Sequence, residues 1–114
     1  MSAFKINDTF EMNNPSVKII SEEIDIKQAG DIIVFSVKLC SADNLKIFSI
    51  TPSLKGQNED SELKYIFNSN TKHATINYYY VVPENFKDNE ELQFSFYLED
   101  SSKKVVVEKK IFIE

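Results

Sequence analysis

The sequence predicts an all-β domain built as a sandwich of two antiparallel sheets, and two patterns support this prediction. Apolar residues recur at every second position in several stretches of the 114-residue chain, which is the spacing of a strand with one buried face. Isoleucine, valine, phenylalanine, tyrosine and threonine dominate these stretches, and nowhere do apolar residues keep the spacing of an amphipathic helix. The length suits one domain with one core.

The first strand is predicted in two halves, residues 17–20 and 24–26, with residues 21–23 as an interruption of the kind found where a first strand switches sheets. The second strand precedes the turn-forming residues 41–44. Its inward face is expected to consist of Ile33, Phe35, Val37 and Leu39.

Residues 45–50 follow as the expected partner of that second strand, closed by Thr51 and Pro52. A polar loop over residues 55–60 then leads to a further strand over residues 61–67.

The clearest strand runs through the seventies and ends at Pro83, because proline cannot donate to a ladder. One face is expected to be inward, and it consists of Ala74, Ile76, Tyr78, Tyr80 and Val82. The opposite face carries Thr75, Asn77, Tyr79 and Val81.

The last two strands are predicted to form a hairpin around a turn at residues 100–103. The first of them has a wholly apolar inward face, made of Leu92, Phe94, Phe96 and Leu98. In the second, Val105, Val107, Ile111 and Ile113 share a parity. About seven short strands, with turn residues roughly every 8–12 residues, are typical of an immunoglobulin-like sandwich.

Residues 1–15 stand apart from the domain predicted over residues 16–114. Four apolar residues in this segment share one parity, although Asp8 interrupts them: Phe4, Ile6, Phe10 and Met12. The segment is either a linker or leader remnant, or an added edge strand that pairs with this domain or with a neighbouring protein.

Charge and composition exclude some classes of function. The 18 acidic residues outnumber 13 basic ones, all of them lysine, so we expect no nucleic-acid partner. Cys40 is the only cysteine, and therefore no internal disulfide can form. No apolar run approaches the length of a membrane span, and residues 1–14 do not have the pattern of a signal peptide, so the chain as written is expected to be soluble.

Catalytic residue types are scarce. One histidine, His73, and one cysteine offer no recognisable nucleophile and base motif, so we expect no enzyme, no cofactor and no metal centre. Two acidic runs, residues 58–60 and 88–91, contain oxygen ligands suited to calcium, but neither has the spacing of a known calcium loop.

Two tyrosines, Tyr79 and Tyr97, are expected to point away from the core and are candidate ligand-binding residues. Their rings suit stacking on a sugar, but tyrosines also stabilise sheets by cross-strand pairing without any ligand, and this second interpretation is favoured. The chain has no tryptophan, the residue best suited to sugar platforms.

Three phrases carry a family resemblance: LKIFSITPSL at Leu45 to Leu54, YYYVVPENF at Tyr78 to Phe86, and LQFSFYLEDSSKK at Leu92 to Lys104. On these, residues 43–113 resemble the immunoglobulin-like modules of surface lipoproteins and polysaccharide-utilisation proteins of Bacteroidetes-type bacteria. The chain departs from them in its last turn, where Ser101 and Ser102 stand in place of a glycine. The resemblance implies a lipid-anchored or secreted parent protein whose leader has been removed.

The expected function is a non-catalytic spacer or adhesion module of a bacterial surface or periplasmic protein. A carbohydrate-binding accessory domain and a protein-interaction subunit with an exposed edge strand are the alternatives. The partner is then a protein or a glycan, and the chain is a monomer or a weak homo-oligomer. The expected location is periplasmic, outer-membrane-anchored or secreted, with the cytoplasm left open.

Overall fold

The computed structural model describes residues 15–23, 30–54, 57–58, 62–84 and 91–112, and only the backbone of residues 21–23, 57–58 and 112. Within these ranges all regular secondary structure is β-strand. No helix in the described residues is long and apolar enough to cross a membrane. In chain order the strands are β1 (Ser16–Glu23), β2 (Ile32–Cys40), β3 (Leu45–Leu54), β4 (Gln57–Asn58), β5 (Leu63–Ile66), β6 (His73–Val81), β7 (Glu91–Asp100) and β8 (Lys104–Phe112).

The strands form two sheets in which all pairs are antiparallel. The first sheet has the order β1-β2-β6. In the second sheet β3 lies between β7 and the two short strands β4 and β5, and β8 follows β7. This order places β1, β2 and β6 where an immunoglobulin-like sandwich has strands A, B and E, and β3, β7 and β8 where it has C, F and G. The predicted fold class is confirmed.

The core lies between the two sheets and follows the predicted alternation. The inward residues predicted for β2 and β7 are all fully buried. The Phe35 ring lies edge-on to Phe94 and Phe96, with centroid distances of 5.0 and 5.3 Å, and Tyr80 lies edge-on to Phe94 at 5.2 Å. Such aromatic pairs add to the stabilisation that burial of their area gives.

The terminal hairpin is also confirmed, since β7 and β8 pair without a register shift from Glu91 opposite Phe112 to Glu99 opposite Lys104. Ile111 is buried, and Val105 and Val107 are half-buried against the core. Ile113 lies outside the described residues.

The prediction that residues 45–50 pair with the second strand is wrong. β3 belongs to the other sheet, where it pairs with β7, β4 and β5. Residues 41–44 therefore carry the chain from one sheet to the other, and the Leu45 N–H donates to the Thr71 carbonyl at 2.8 Å. Alternation gives the buried face of a strand but not its partner, so a hairpin and a crossing have the same sequence pattern.

β3 also continues beyond the predicted stop, through Pro52 to Leu54. On one edge β3 pairs with β5 over Ile47 to Ile50 and with β4 at Ser53 and Leu54. Pro52 falls between these two stretches, where neither short strand requires an N–H from β3.

β1 is continuous where an interruption was predicted at residues 21–23. Its register with β2 shifts between Ile19 and Ser21, which is a β-bulge, and the Ile20 side chain is exposed. The predicted half over residues 24–26 lies outside the described residues.

Gly30 precedes β2 and has a φ of 93°, a conformation that side chains disfavour. Its N–H donates to the Val82 carbonyl at 2.9 Å and so extends the pairing of β2 with β6.

Candidate functional site

Within the described ranges, β6 is the least protected of the edge strands of the two sheets. β1 carries the bulge at Ile20, β8 exposes Lys104, Glu108 and Lys110, and β4 and β5 are two and four residues long. β6 has nine residues in unbroken register, and His73 is its only residue with a basic or acidic side chain of the His, Lys, Arg, Asp or Glu type. Bulges, charges and shortness are the features that prevent an edge from pairing with another strand.

The backbone N–H and C=O groups of successive β6 residues point alternately toward β2 and toward the opposite edge. At one end the Val82 N–H donates to the Asp31 carbonyl at 2.9 Å, and at the other the Ser41 N–H donates to the Lys72 carbonyl at 3.0 Å. The register between these bonds is continuous, so the even-numbered residues of β6 bond to β2. The N–H and C=O groups of odd-numbered residues 73–81 therefore point to the other edge, where no described strand pairs with them.

An apolar surface lies beside this edge on the second sheet. Tyr65 pairs with the buried Phe48 and Leu63 with the buried Ile50, so both side chains are on the core-facing side of β5. The Tyr65 ring lies edge-on to Phe67 at 4.7 Å. Although it faces inward, Tyr65 is 48% exposed, because the three-stranded sheet ends before it covers β5.

The strand orders place this surface on the side of the sandwich toward which the β6 edge faces. β1 packs over β7 and β8, which places β6 at the opposite side of the sandwich, toward β3 and β5. In an immunoglobulin-like constant domain a fourth strand, D, pairs with strand E. Here β5 pairs with β3 instead. We call the position next to β6 and above Leu63, Tyr65 and Phe67 the strand slot.

The outer face of the first sheet is apolar at one end. Val81 and Ile32 are opposite each other in the ladder, and both are more than half exposed. Tyr79 is opposite Val34 and is 65% exposed. This patch borders the second half of the β6 edge.

The two candidate tyrosines lie on different faces of the sandwich. Tyr79 is on the outer face of the three-stranded sheet, and Tyr97 on the outer face of the other sheet, where it is opposite Ser49 and Val106. They are not brought together, so they cannot stack on one sugar. Tyr97 donates its hydroxyl to Glu99 Oε1 at 2.6 Å. The pKa of Tyr97 is raised by this hydrogen bond, by desolvation and by the charge of Glu99.

At the end of the sandwich that contains residues 41–44, a buried carboxylate joins two loops. Asp100 is 4% exposed, and its Oδ2 accepts the Ser41 hydroxyl at 2.6 Å. Its Oδ1 accepts the backbone N–H groups of Ser102 and Lys103, each at 2.7 Å. Burial alone raises the pKa of Asp100, but these hydrogen bonds and the Lys103 charge outweigh it and the pKa is lowered.

Further bonds connect the same loops. The Ser101 N–H donates to the Asn44 carbonyl at 3.1 Å, and the Ser102 hydroxyl to Asp43 Oδ2 at 2.9 Å. Asn44 also donates its side-chain amide to Asn70 Oδ1 at 3.2 Å. Loops at one end of a sandwich carry the binding residues of antibody variable domains. Here many of their polar groups bond to one another, which favours a structural role.

The chain's only cysteine and histidine are neighbours. Cys40 is opposite His73 across β2 and β6, where Cys40 is half-buried and His73 exposed. Residues 33 positions apart become adjacent only through the ladder, so the sequence gives no signal for this pair. In the described part of the chain no three His, Cys, Asp or Glu residues group as metal ligands.

Several predicted candidates lie outside the described residues. They include the apolar residues of the N-terminal segment and most of the two acidic runs considered for calcium: Phe4, Ile6, Phe10, Met12, Glu59, Asp60, Asp88, Asn89 and Glu90.

No protein-family model and no curated protein sequence matches the chain. Among solved structures, a crystal structure of wild-type OgpA from Akkermansia muciniphila is similar with a TM-score of 0.59 at 14% identity. Catalytically inactive OgpA in complex with an O-glycopeptide (glycodrosocin) substrate is similar with a TM-score of 0.55 at the same identity. The likeness covers 87% of this chain but only 28 to 29% of OgpA, and it shows the fold alone.

Proposed function

We propose that the chain is a non-catalytic interaction module that binds an extended segment of a partner protein by adding it as a strand beside β6. The observation that carries this proposal is the strand slot, where the edge of β6, which no described strand covers, faces the side of the exposed Tyr65 and the half-buried Phe67. Strand addition of this kind takes affinity from main-chain hydrogen bonds and specificity from pockets for alternate side chains.

The chemistry of the slot defines the partner segment. Odd-numbered residues 73–81 offer N–H and C=O groups to a strand of similar length. On its inward side the added strand meets Leu63, Tyr65 and Phe67, so alternate residues of the partner should be apolar. Since β6 contains no lysine or carboxylate, the slot places no like charge against a partner of either sign.

The experiment is selection of random linear peptides displayed on phage, followed by binding measurements with two variants at one position. Asn77→Pro removes an N–H that faces the open edge while leaving the even-numbered bonds to β2 intact, and proline is tolerated at such edge positions. Asn77→Ala keeps the N–H and is the matched control. A thermal midpoint near that of the parent protein establishes that Asn77→Pro folds.

The selected peptides should show alternating apolar residues, bind Asn77→Ala as they bind the parent, and bind Asn77→Pro at least about tenfold more weakly. A Tyr65→Asp variant should lose binding as well, because it places a charge against the apolar side of the peptide. Peptides that bind Asn77→Pro and Tyr65→Asp as tightly as the parent would refute strand addition at the slot.

The location in an exported or surface-anchored bacterial protein stays a prediction, as does the spacer role. OgpA comes from a bacterium outside the Bacteroidetes. The similarity of this chain to OgpA therefore does not support the resemblance to Bacteroidetes lipoproteins. The carbohydrate alternative has less support than strand addition, because Tyr79 and Tyr97 are on opposite faces of the sandwich.

A further inference from the structure

We infer that the segment added beside β6 carries an acidic side chain, which Lys38 of β2 recognises across that strand. This inference rests on the proposed function, because the acidic residue belongs to a segment bound at the strand slot. It goes further by naming the charge of the partner and the position of that charge along β6. The residues that carry it lie on the outer face of the first sheet, in the half nearer to His73.

Two lysines are directly opposite each other on this face. Lys18 of β1 is paired with Lys38, Lys38 is paired with Thr75 of β6, and both lysine side chains are exposed. In the described part of the chain neither lysine has an ion pair. Like charges that are directly opposite in a sheet are destabilising. A negative charge bound nearby would therefore stabilise this pair.

The neighbouring side chains on this face add no negative charge. Among the described residues they are neutral or basic: Ser16, Ser36, Cys40, His73, Thr75 and Asn77. Lys72, immediately before β6, is exposed too. This half of the outer face is therefore basic, although the chain as a whole has a net charge of -5. Such a local charge favours an acidic partner and disfavours a basic one.

An added strand comes within reach of Lys38. The added residue that pairs with Thr75 is two strand spacings from Lys38, roughly 10 Å between Cα atoms. A lysine and a glutamate side chain that extend toward each other above the short, uncharged Thr75 can close this distance to that of an ion pair. Lys18 is one spacing further away and adds a weaker, screened attraction.

The other half of the outer face sets a second requirement. The added residue that pairs with Tyr79 is four positions from the acidic one and lies beside the exposed Tyr79 and Val81. In an antiparallel strand this residue precedes the acidic one. The partner segment therefore has an apolar residue on its outward side, an acidic residue four positions later, and apolar residues on its inward side.

The experiment is a charge exchange between Lys38 and three synthetic peptides as long as β6. Each peptide has valine at the inward positions and threonine at the outward ones, except for tyrosine at the position expected to pair with Tyr79. The position expected to pair with Thr75 carries glutamate, glutamine or lysine. The parent protein should bind the glutamate peptide about threefold more tightly than the glutamine peptide, as an exposed ion pair allows.

Variants of Lys38 should change this preference in a defined way. Lys38→Gln should abolish the preference for glutamate, and Lys38→Glu should reverse it in favour of the lysine peptide. The matched control Lys104→Gln removes the same charge from β8, at the opposite side of the sandwich, and should leave the preference unchanged. Because Lys38 is exposed, its variants should keep the thermal midpoint of the parent protein.

Two outcomes would overturn the inference and leave the proposed function standing. These are equal binding of the three peptides by the parent protein, and a glutamate preference that survives both Lys38 variants, each with binding that Asn77→Pro still weakens. The glutamate preference should also disappear at about 1 M salt, where charges are screened beyond roughly 3 Å, and its persistence there would count against an ion pair. If Asn77→Pro leaves the binding unchanged, or if no peptide binds, both the inference and the proposed function fail.

Discussion

Replacing Asp100 by alanine is expected to lower the free energy of unfolding by about 3 kcal/mol at pH 7. The carboxylate accepts hydrogen bonds of 2.6, 2.7 and 2.7 Å from Ser41, Ser102 and Lys103. Hydrogen bonds to charged groups contribute roughly 1.5–3 kcal/mol each. Ser102 and Lys103 are exposed, so water replaces the carboxylate at their N–H groups, whereas Ser41 is 1% exposed and its hydroxyl loses its partner. The expected loss is therefore well below the sum of the three.

The assay is urea unfolding monitored by circular dichroism, with two comparison variants. Asp100→Asn keeps an oxygen for the two N–H groups and should cost about 1 kcal/mol. Asp43→Ala is the comparison for an exposed bond between the same loops: it removes the carboxylate that accepts the Ser102 hydroxyl at 2.9 Å, where water can replace it, and should cost less than about 0.5 kcal/mol. A loss below about 1 kcal/mol for Asp100→Ala would refute the view that this carboxylate holds the loops together.

The same variants have a defined pH dependence. Because the folded pKa of Asp100 lies below its ordinary value of 3.8, the unfolded chain binds more protons between the two values. The contribution of Asp100 to stability is thus complete at neutral pH and is lost as the pH falls below 3.8 and through the folded pKa. The stability difference between the parent and Asp100→Asn should shrink over that interval. A difference that is unchanged by acid would contradict the lowered pKa.

Three further outcomes are expected. Phe94→Ala and Phe96→Ala each remove a fully buried ring and should cost about 3–5 kcal/mol in urea unfolding, while the control Ser95→Ala on the other face costs little; equal losses would contradict the register. Burial, followed by the nearby Tyr80, raises the pKa of Tyr78 above its ordinary 10.0, so stability should fall as the pH rises past 10.0 toward the folded pKa, and less steeply in Tyr78→Phe; parallel alkaline curves would contradict this. Gly30→Ala should cost about 1 kcal/mol by thermal unfolding, from backbone strain alone, because no atom lies within 4 Å of the added Cβ; an unchanged midpoint would mean that the positive φ relaxes freely.

Much of the fold could be predicted because burial imposes a period of two on each strand. Phe35, Phe94 and Phe96 were all expected in the core, and all are there. The pairing partner of each strand was harder to predict, because β2 and β3 have the alternation of a hairpin and yet lie in different sheets. Pro52 predicts a strand end from sequence, but a proline ends pairing only on the edge where its N–H is required.

The site was harder to predict than the fold. Tyr79 and Tyr97 could be recognised as outward-facing, but their separation on opposite faces depends on which sheet each strand joins. The slot depends on the position of β5, which leaves the edge of β6 without a described neighbour. Asp100 was predicted only as a turn residue, because a hydrogen bond between positions 59 apart leaves no local pattern.

The crossing of the chain at residues 41–44 has a consequence for synthesis on the ribosome. The first sheet cannot be completed without β6, and the central pair of the second sheet cannot form until β7 has been made, about forty residues after β3. Neither half of the chain contains a whole sheet. A nascent chain should therefore keep its apolar faces uncovered until Leu98 has emerged, and shorter fragments should depend on chaperones to stay in solution.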